Sequence, residues 1–233
     1  MNSEVKFFFE RNMKMIIKKT KFDDDFQAYL TKDAVLVGEP GIPMMMNLHN
    51  TELPLDIIPF DKAKRCKNRN KYVHFYMHDK EFSHVLTATN RYLTLLREFD
   101  GVISPDCSMA VGQAKCLQQA NTYMNRAVGF YLQQHGVPVI PNIRWSDEES
   151  FEYCFLGVPK DTIVAISTHG CLKTKDDYEM MRLGVGVMLE KLHPTAVVVH
   201  GRMPSSIFGE YTNQIQFRRY ASQYERTHVR MVK

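Results

Sequence analysis

The chain has 233 residues, 44% of them apolar and 24% charged, with a net charge of +4. That balance favours a folded protein over a disordered one and suits one large domain or two small ones. The positive charge permits contact with an anion or a nucleic acid without demanding it, and the longest apolar runs are too short to span a bilayer.

The N-terminus carries Glu4 and Glu10 and no small-residue cleavage pattern, so no signal peptide is expected. The five cysteines are Cys66, Cys107, Cys116, Cys154 and Cys171, an odd number with no C-x-x-C pair. They read as reduced thiols, which implies a cytoplasmic location.

Residues 1–20 mix Phe7, Phe8, Phe9, Met13, Ile16 and Ile17 with Lys and Arg, as a helix or strand covering one end of the domain would. Residues 23–32 fit a short amphipathic helix. Residues 34–46 contain Gly38, Pro40, Gly41 and Pro43 and read as a loop. A strand over 55–60 ends at Asp61, and six basic residues over 62–71 predict an exposed segment. A strand over 72–77 ends at His78 and Asp79. Phe82, Val85, Leu86, Tyr92, Leu93 and Leu96 then keep a 3.6-residue period through one helix. A short strand over 102–104 runs straight into Pro105 and Asp106.

Residues 121–171 organise the rest. A helix carries Val128, Tyr131 and Leu132 and stops at Gly136. A β-branched run over 137–143 reads as a parallel strand buried on both faces. Ser146 with Glu149 predicts a capping box for a helix through Phe151 and Phe155, stopped by Gly157 and Pro159. The strand over 163–166 ends in Ser167, Thr168, His169, Gly170 and Cys171. Thr174 with Asp177 caps a helix to about Leu192, in which Gly184 and Gly186 imply close packing. A strand over 196–199 ends at His200, and a last one covers 215–217.

Seven strand candidates with helices between them predict an α/β fold with a mainly parallel sheet. A small or incomplete (β/α) barrel fits this count, and a doubly wound open sheet is the alternative. The expected division is an extension over 1–52, an α/β domain over 53–220 and a basic tail over 221–233.

In either architecture, sites form at the carboxyl ends of parallel strands. Those ends carry Asp61, His78 and Asp79, Asp106, Asn142 with Arg144 and Trp145, Ser167 with His169 and Cys171, and His200. Asp106, Asn142, Arg144, Trp145, Ser167 and Cys171 are candidates for ligand binding, with His169 or His200 as acid/base. Arg144 suits an anion and Trp145 a planar group. The plainer alternative is an arginine paired with Asp106 or Asp147 and a tryptophan packed on a helix. Arg144 shares a face with Asn142, so it should be partly buried and paired, Asp106 first. Cys171 beside His169 is either a nucleophile or an inert thiol. His74 and His78 would lie about 13 Å apart along one strand, too far to share an ion, and no metal site is expected. No G-x-G-x-x-G, P-loop or G-x-S-x-G motif occurs.

FDGVISPD (99–106), the whole of 121–171, AVVVHG (196–201) and LDIIPFDKA (55–63) together resemble the domain-of-unknown-function family 4417, over about residues 53–220. That family is similar to proteins of bacteria, phages and other mobile elements. The resemblance implies no reaction, cofactor or catalytic residue, and members often differ at the position of Cys107. The leading expectation is a cytosolic α/β protein whose polar cleft binds or processes a phosphorylated or nucleotide-like ligand. One alternative is a nucleic-acid-associated protein of a phage or mobile element, with contacts through 62–71 and 218–233. The other is an interaction protein without chemistry.

Overall fold

The computed structural model describes residues 27–47 and 52–231. The expectations for 1–20 and for the start of the 23–32 helix lie outside those residues. A 3-10 turn over Ala28–Thr31 opens the described chain. The 34–46 segment is not a plain loop. Leu36–Val37 (β1) and Ile42–Pro43 (β2) form an antiparallel hairpin, turned by Gly38 and Gly41 at φ of 71° and 68°. Those angles suit glycine, which is why a glycine-rich signal marked a hairpin turn here.

The core elements follow in order. Ile57–Pro59 (β3) leads into the single turn Phe60–Ala63 (α1), then Tyr72–His74 (β4). The helix expected over 82–96 is broken into Asp79–Thr87 (α2), a 3-10 turn and Leu93–Leu96 (α3). The break follows Ala88 at φ −147°, where Thr89 Oγ1 bonds back to Val85 O at 2.7 Å. Next come Gly101–Ile103 (β5), the long helix Lys115–Gln134 (α4) and Val139–Ile140 (β6). No α-helix joins β6 to Ile163–Ser167 (β7). The connection is a 3-10 turn over Glu148–Glu152 capped by Asp147, whose Oδ1 accepts from Ser150 N at 3.1 Å. Ser146 is not the cap, because its hydroxyl is committed to Gln118 Oε1 at 2.5 Å. Lys175–Leu192 (α5) carries the expected Thr174–Asp177 capping box. Ala196–His200 (β8), the turn Ser205–Phe208 (α6), Gln216–Tyr220 (β9) and Gln223–Met231 (α7) complete the chain.

All seven strands from β3 to β9 run parallel and sit in sequence order. A four-stranded sheet, β3 to β6, meets a three-stranded sheet, β7 to β9, through one bridge between Asn142 and Ala165. Ile143 N donates to Ala165 O at 2.8 Å and Ala165 N to Pro141 O at 2.9 Å. A doubly wound sheet reverses its order at a switch point, and this order never reverses. The outer strands β9 and β3 share no backbone ladder among the described residues. Instead the Arg218 guanidinium donates to Pro54 O at 3.3 Å, and the Tyr220 hydroxyl reaches the same carbonyl. The sheet is therefore curved but not closed by strand pairing.

Strand residues alternate between two sides, as the two-residue period requires. Ile57, Tyr72, Ile103, Ile140, Ile163, Ala165, Ala196, Val198 and Tyr220 form one cluster on the inner side of the curve. Val73, Val102 and Val139 pack outward with α4 residues such as Val128 and Leu132. Val164, Ile166, Val197 and Val199 pack outward with Met181, Val185 and Met188 of α5.

Gly184 shows why α5 tolerates glycine. A Cβ there would lie 2.2 Å from Trp145 Cε2, so the helix approaches the indole backbone-first. Gly184→Ala should cost about 1–3 kcal/mol through overpacking, more than the helix-propensity gain of about 1 kcal/mol. Trp145 is the chain's single tryptophan. A chemical melt followed by its fluorescence reads both the lost stability and the displaced ring, and an unchanged melt would refute the contact.

Candidate functional site

Just beyond β6 the chain leaves the sheet through Asn142, which is fully buried. Its backbone N donates to Ser104 Oγ at 2.8 Å, and Ser104 Oγ donates to Asn125 Oδ1 at 2.8 Å. Its side chain is held from both ends. Tyr76 Oη donates to Asn142 Oδ1 at 2.9 Å, and Asn142 Nδ2 donates to Asp106 Oδ1 at 2.8 Å. The other Asp106 oxygen faces Arg144 Nη1 at 3.6 Å. Arg144 Nη1 also donates to Cys171 Sγ at 3.2 Å, while the buried Nε has no partner among the described residues.

This chain of contacts joins β4, β5, β6 and β7 at one edge of the sheet. Burial raises the Asp106 pKa, and the Arg144 guanidinium and the Asn142 amide pull it back. Burial disfavours the Arg144 cation, but Asp106, Cys171 and Asp79 together more than offset this and hold it charged. The pairing expected between these two residues is present, and Arg144 keeps 24% of its side chain accessible.

That accessible part lines a cavity of about 420 Å³ between the β6 and β7 ends and the start of α5. Trp145, Ser167 and Cys171 share its wall with Met109, Met180 and Met181. Asp147, Asp176 and Asp177 line it as well. The volume lies in the usual range for small-molecule sites. Trp145 is packed on Gly184 of α5, as the plainer reading expected, and still borders the cavity. Burial raises the Cys171 thiol pKa, against the pull of Arg144, so the thiol is not an activated nucleophile.

His200 does not reach the cavity. Its Nδ1 lies 3.0 Å from Ser167 Oγ, its ring stacks on Tyr76 at 4.5 Å, and His74 is 4.9 Å away. Burial drives its pKa down to about 3, and His74 is also pushed well below the ordinary histidine value, so both imidazoles are neutral at pH 7. His169 is exposed, with its ring 5.9 Å from that of His200. Of the predicted residues, Arg144, Trp145, Ser167 and Cys171 therefore border one cavity. Asp106 and Asn142 stand behind Arg144, and His200 stands behind Ser167. Asp61 is exposed on α1, and Asp79 is committed to Ser108 through N–H and O–H bonds of 3.1 and 2.8 Å.

Sequence reasoning missed Tyr76, Asn125 and Arg126. Tyr76 was within reach, since it lies two residues past His74 and so on the same face. The two helical residues carried no such signal. Arg126 is 1% exposed and has no carboxylate partner among the described residues. It donates to Leu156 O at 3.0 Å, Cys154 O and Asn142 O at 2.8 Å and Asn125 Oδ1 at 2.6 Å.

The basic segments are partly neutralised from within. Arg69 pairs with Glu98, Lys71 and Arg226 with Asp56, and Arg219 with Glu225. Lys62, Lys64, Arg65 and Lys67 stay exposed. Among the described residues no helix is long and apolar enough to cross a membrane, and no three His, Cys, Asp or Glu side chains are grouped to hold a metal.

Comparison with known proteins gives the lineage. The Gene 1 protein of Mycobacterium phage L5 is 30% identical over 131 residues, which cover 56% of this chain and 57% of that protein. The Gene 1 protein of Mycobacterium phage D29 is 29% identical over 131 residues, 56% of this chain and 48% of that protein. The chain thus spans about half the length of the curated relatives it matches. No solved structure matches it. The family described as Domain of unknown function (DUF4417) matches residues 36–220, from the β1–β2 hairpin to the end of β9, and the chain belongs to that family.

Proposed function

We propose that the protein binds a small phosphorylated or nucleotide-like anion in the cavity at the β6 and β7 carboxyl ends. The observation that carries this reading is Arg144, a charged, part-exposed guanidinium bordering a cavity of ligand size, with its buried Nε unpartnered among the described residues. An arginine fork suits phosphate oxygens. Asp106 orients the fork from behind, and Asn142 and Tyr76 orient Asp106. Ser167 borders the same wall, with its hydroxyl held by His200 Nδ1 at 3.0 Å and His169 N at 3.2 Å. This reading is favoured over nucleic-acid contact because several cations of the basic segments already have internal carboxylate partners.

The test is titration with inorganic phosphate, pyrophosphate and nucleoside monophosphates, followed by Trp145 fluorescence and calorimetry. Arg144→Gln should weaken binding by about 10- to 100-fold, the worth of a hydrogen bond to a charged group. A double variant with Asp106→Asn removes the unpaired carboxylate, separating lost binding from lost stability. Unchanged affinity in both variants would remove Arg144 from the site.

A further inference from the structure

We infer that the ligand of this cavity is a nucleoside monophosphate whose base presents amino hydrogens, guanine best, and that uracil and thymine are disfavoured. The inference rests on the proposed anion site and concerns the rest of its wall.

That wall divides by chemistry. Arg144 supplies the cation. Asp147, Asp176 and Asp177 supply carboxylates, and Asp177 spends one oxygen on Lys173 N and Thr174 N at 3.0 and 2.8 Å. One Asp147 oxygen is occupied by Ser150 N, and the other has no hydrogen bond among the described residues. Asp176 is exposed and makes no hydrogen bond or ion pair among them. An ionised carboxylate only accepts hydrogen bonds. Asp106 already balances the charge of Arg144, so the three further carboxylates leave the cavity short of positive charge. A ligand that is anionic throughout would meet them with like charge. A ligand with a phosphate and, elsewhere, N–H donors satisfies both groups.

The remaining surface selects the shape of the donor group. Met109, Met180 and Met181 border the cavity, and thioethers pack well against aromatic rings. An aromatic ring bearing N–H groups suits a lining of this chemistry. Guanine offers adjacent N1–H and amino donors that match both oxygens of one carboxylate. Adenine and cytosine each offer one amino group. Uracil and thymine present a carbonyl oxygen at the corresponding position and would set it against a carboxylate.

The experiment uses the full chain, with GMP, UMP and inorganic phosphate as probes and Trp145 fluorescence as readout. GMP should bind at least about tenfold more tightly than UMP. Asp147→Asn and Asp176→Asn together should reduce that preference to less than about threefold and should raise the affinity for inorganic phosphate, because a like charge is removed. Asparagine still caps the Glu148–Glu152 turn, so the double variant keeps its fold. Equal binding of GMP and UMP by the wild-type chain would overturn the base preference and leave the anion site standing. A GMP preference that survives the double variant would overturn the role of the two carboxylates. No response to any of the three probes would overturn the anion site itself, and this inference with it.

Discussion

The protein should lose stability steadily as pH falls from 6.5 towards about 4.5, before ordinary carboxylates protonate. The cause is the buried pair His74 and His200. His200 is 2% exposed and His74 4%, and their rings lie 4.9 Å apart. Around them stand Tyr76 of the β4 extension, Ser167 and His169 of the β7 end, Arg226 and Glu225 of α7 and Lys62 of α1. Burial comes first among the causes and lowers both pKa values. For His74 the next is His200, then Arg226 and Lys62; for His200 it is His169, then Arg226, with Glu225 opposing. In the unfolded chain a histidine takes up its proton near 6.5, whereas folded His200 resists down to about 3. Below 6.5 the unfolded state therefore binds more protons, and stability falls by about 1.4 kcal/mol per pH unit for each such histidine. Carried to about 3, the loss from His200 alone is roughly 5 kcal/mol. Asp56 and Glu225 have lowered pKa values, so their contributions are lost only at lower pH. Asp106 acts the other way. Its raised pKa lets the folded state take up a proton first, which offsets part of the loss near the bottom of the window. Urea titrations across this window should show the slope, and His200→Phe, which keeps the stack on Tyr76, should flatten it. A stability independent of pH over this range would mean that the two rings are hydrated.

The alternation of β-branched runs and helical periods was enough to give seven strands in a mainly parallel sheet, because strands covered on both faces are continuous apolar runs, whereas it leaves their order open between a barrel and a doubly wound sheet. The strand ends were equally visible. Asn142, Arg144, Ser167 and His200 are polar residues that terminate Val- and Ile-rich strands, and the sheet brings all those ends to one edge. What stayed hidden depended on contacts distant in sequence. The capping-box pattern at Ser146 misled because Gln118, 28 residues earlier, takes its hydroxyl. The hairpin at β1 and β2 looked like a loop because two glycines and two prolines in 34–46 outweigh four strand residues. Closure of the sheet was not legible, since it depends on how β9 meets the segment before β3. The division of labour at the site was hidden too. The sequence placed His200 and Ser167 at one edge but could not show which would face a cavity and which the interior.

Arg126 should have a large effect although it does not line the cavity at the β6 and β7 ends. It is a buried cation held only by oxygens of carbonyl and amide groups, and burial lowers its pKa to about 10. Two of its acceptors have other donors. Asn142 O also accepts from Asn125 Nδ2 at 3.1 Å, and Asn125 Oδ1 also accepts from Ser104 Oγ at 2.8 Å. Cys154 O and Leu156 O rest on Arg126, at 2.8 and 3.0 Å. Arg126→Met keeps most of the side-chain volume and leaves the buried Cys154 carbonyl and the part-buried Leu156 carbonyl without this donor, at about 1–3 kcal/mol each, with Leu156 at the low end. Removing an uncompensated buried charge returns part of that cost. The net expectation is a loss of roughly 2–4 kcal/mol in chemical denaturation. The loss should have a local signature. The segment around Cys154–Gly157 carries Phe155, whose ring lies 6.3 Å from Trp145, and Gly157 O accepts from Met45 N of the hairpin at 2.9 Å. Hydrogen exchange in Arg126→Met should therefore speed up at Met45 before it does in β8, and the Trp145 emission should shift. Arg126→Lys can satisfy at most part of the acceptor set from its single nitrogen and should fall between the two. If Arg126→Met were as stable as the wild-type chain, the two carbonyls would have to find other donors, and the strut between α4 and the β6–β7 connection would carry no weight.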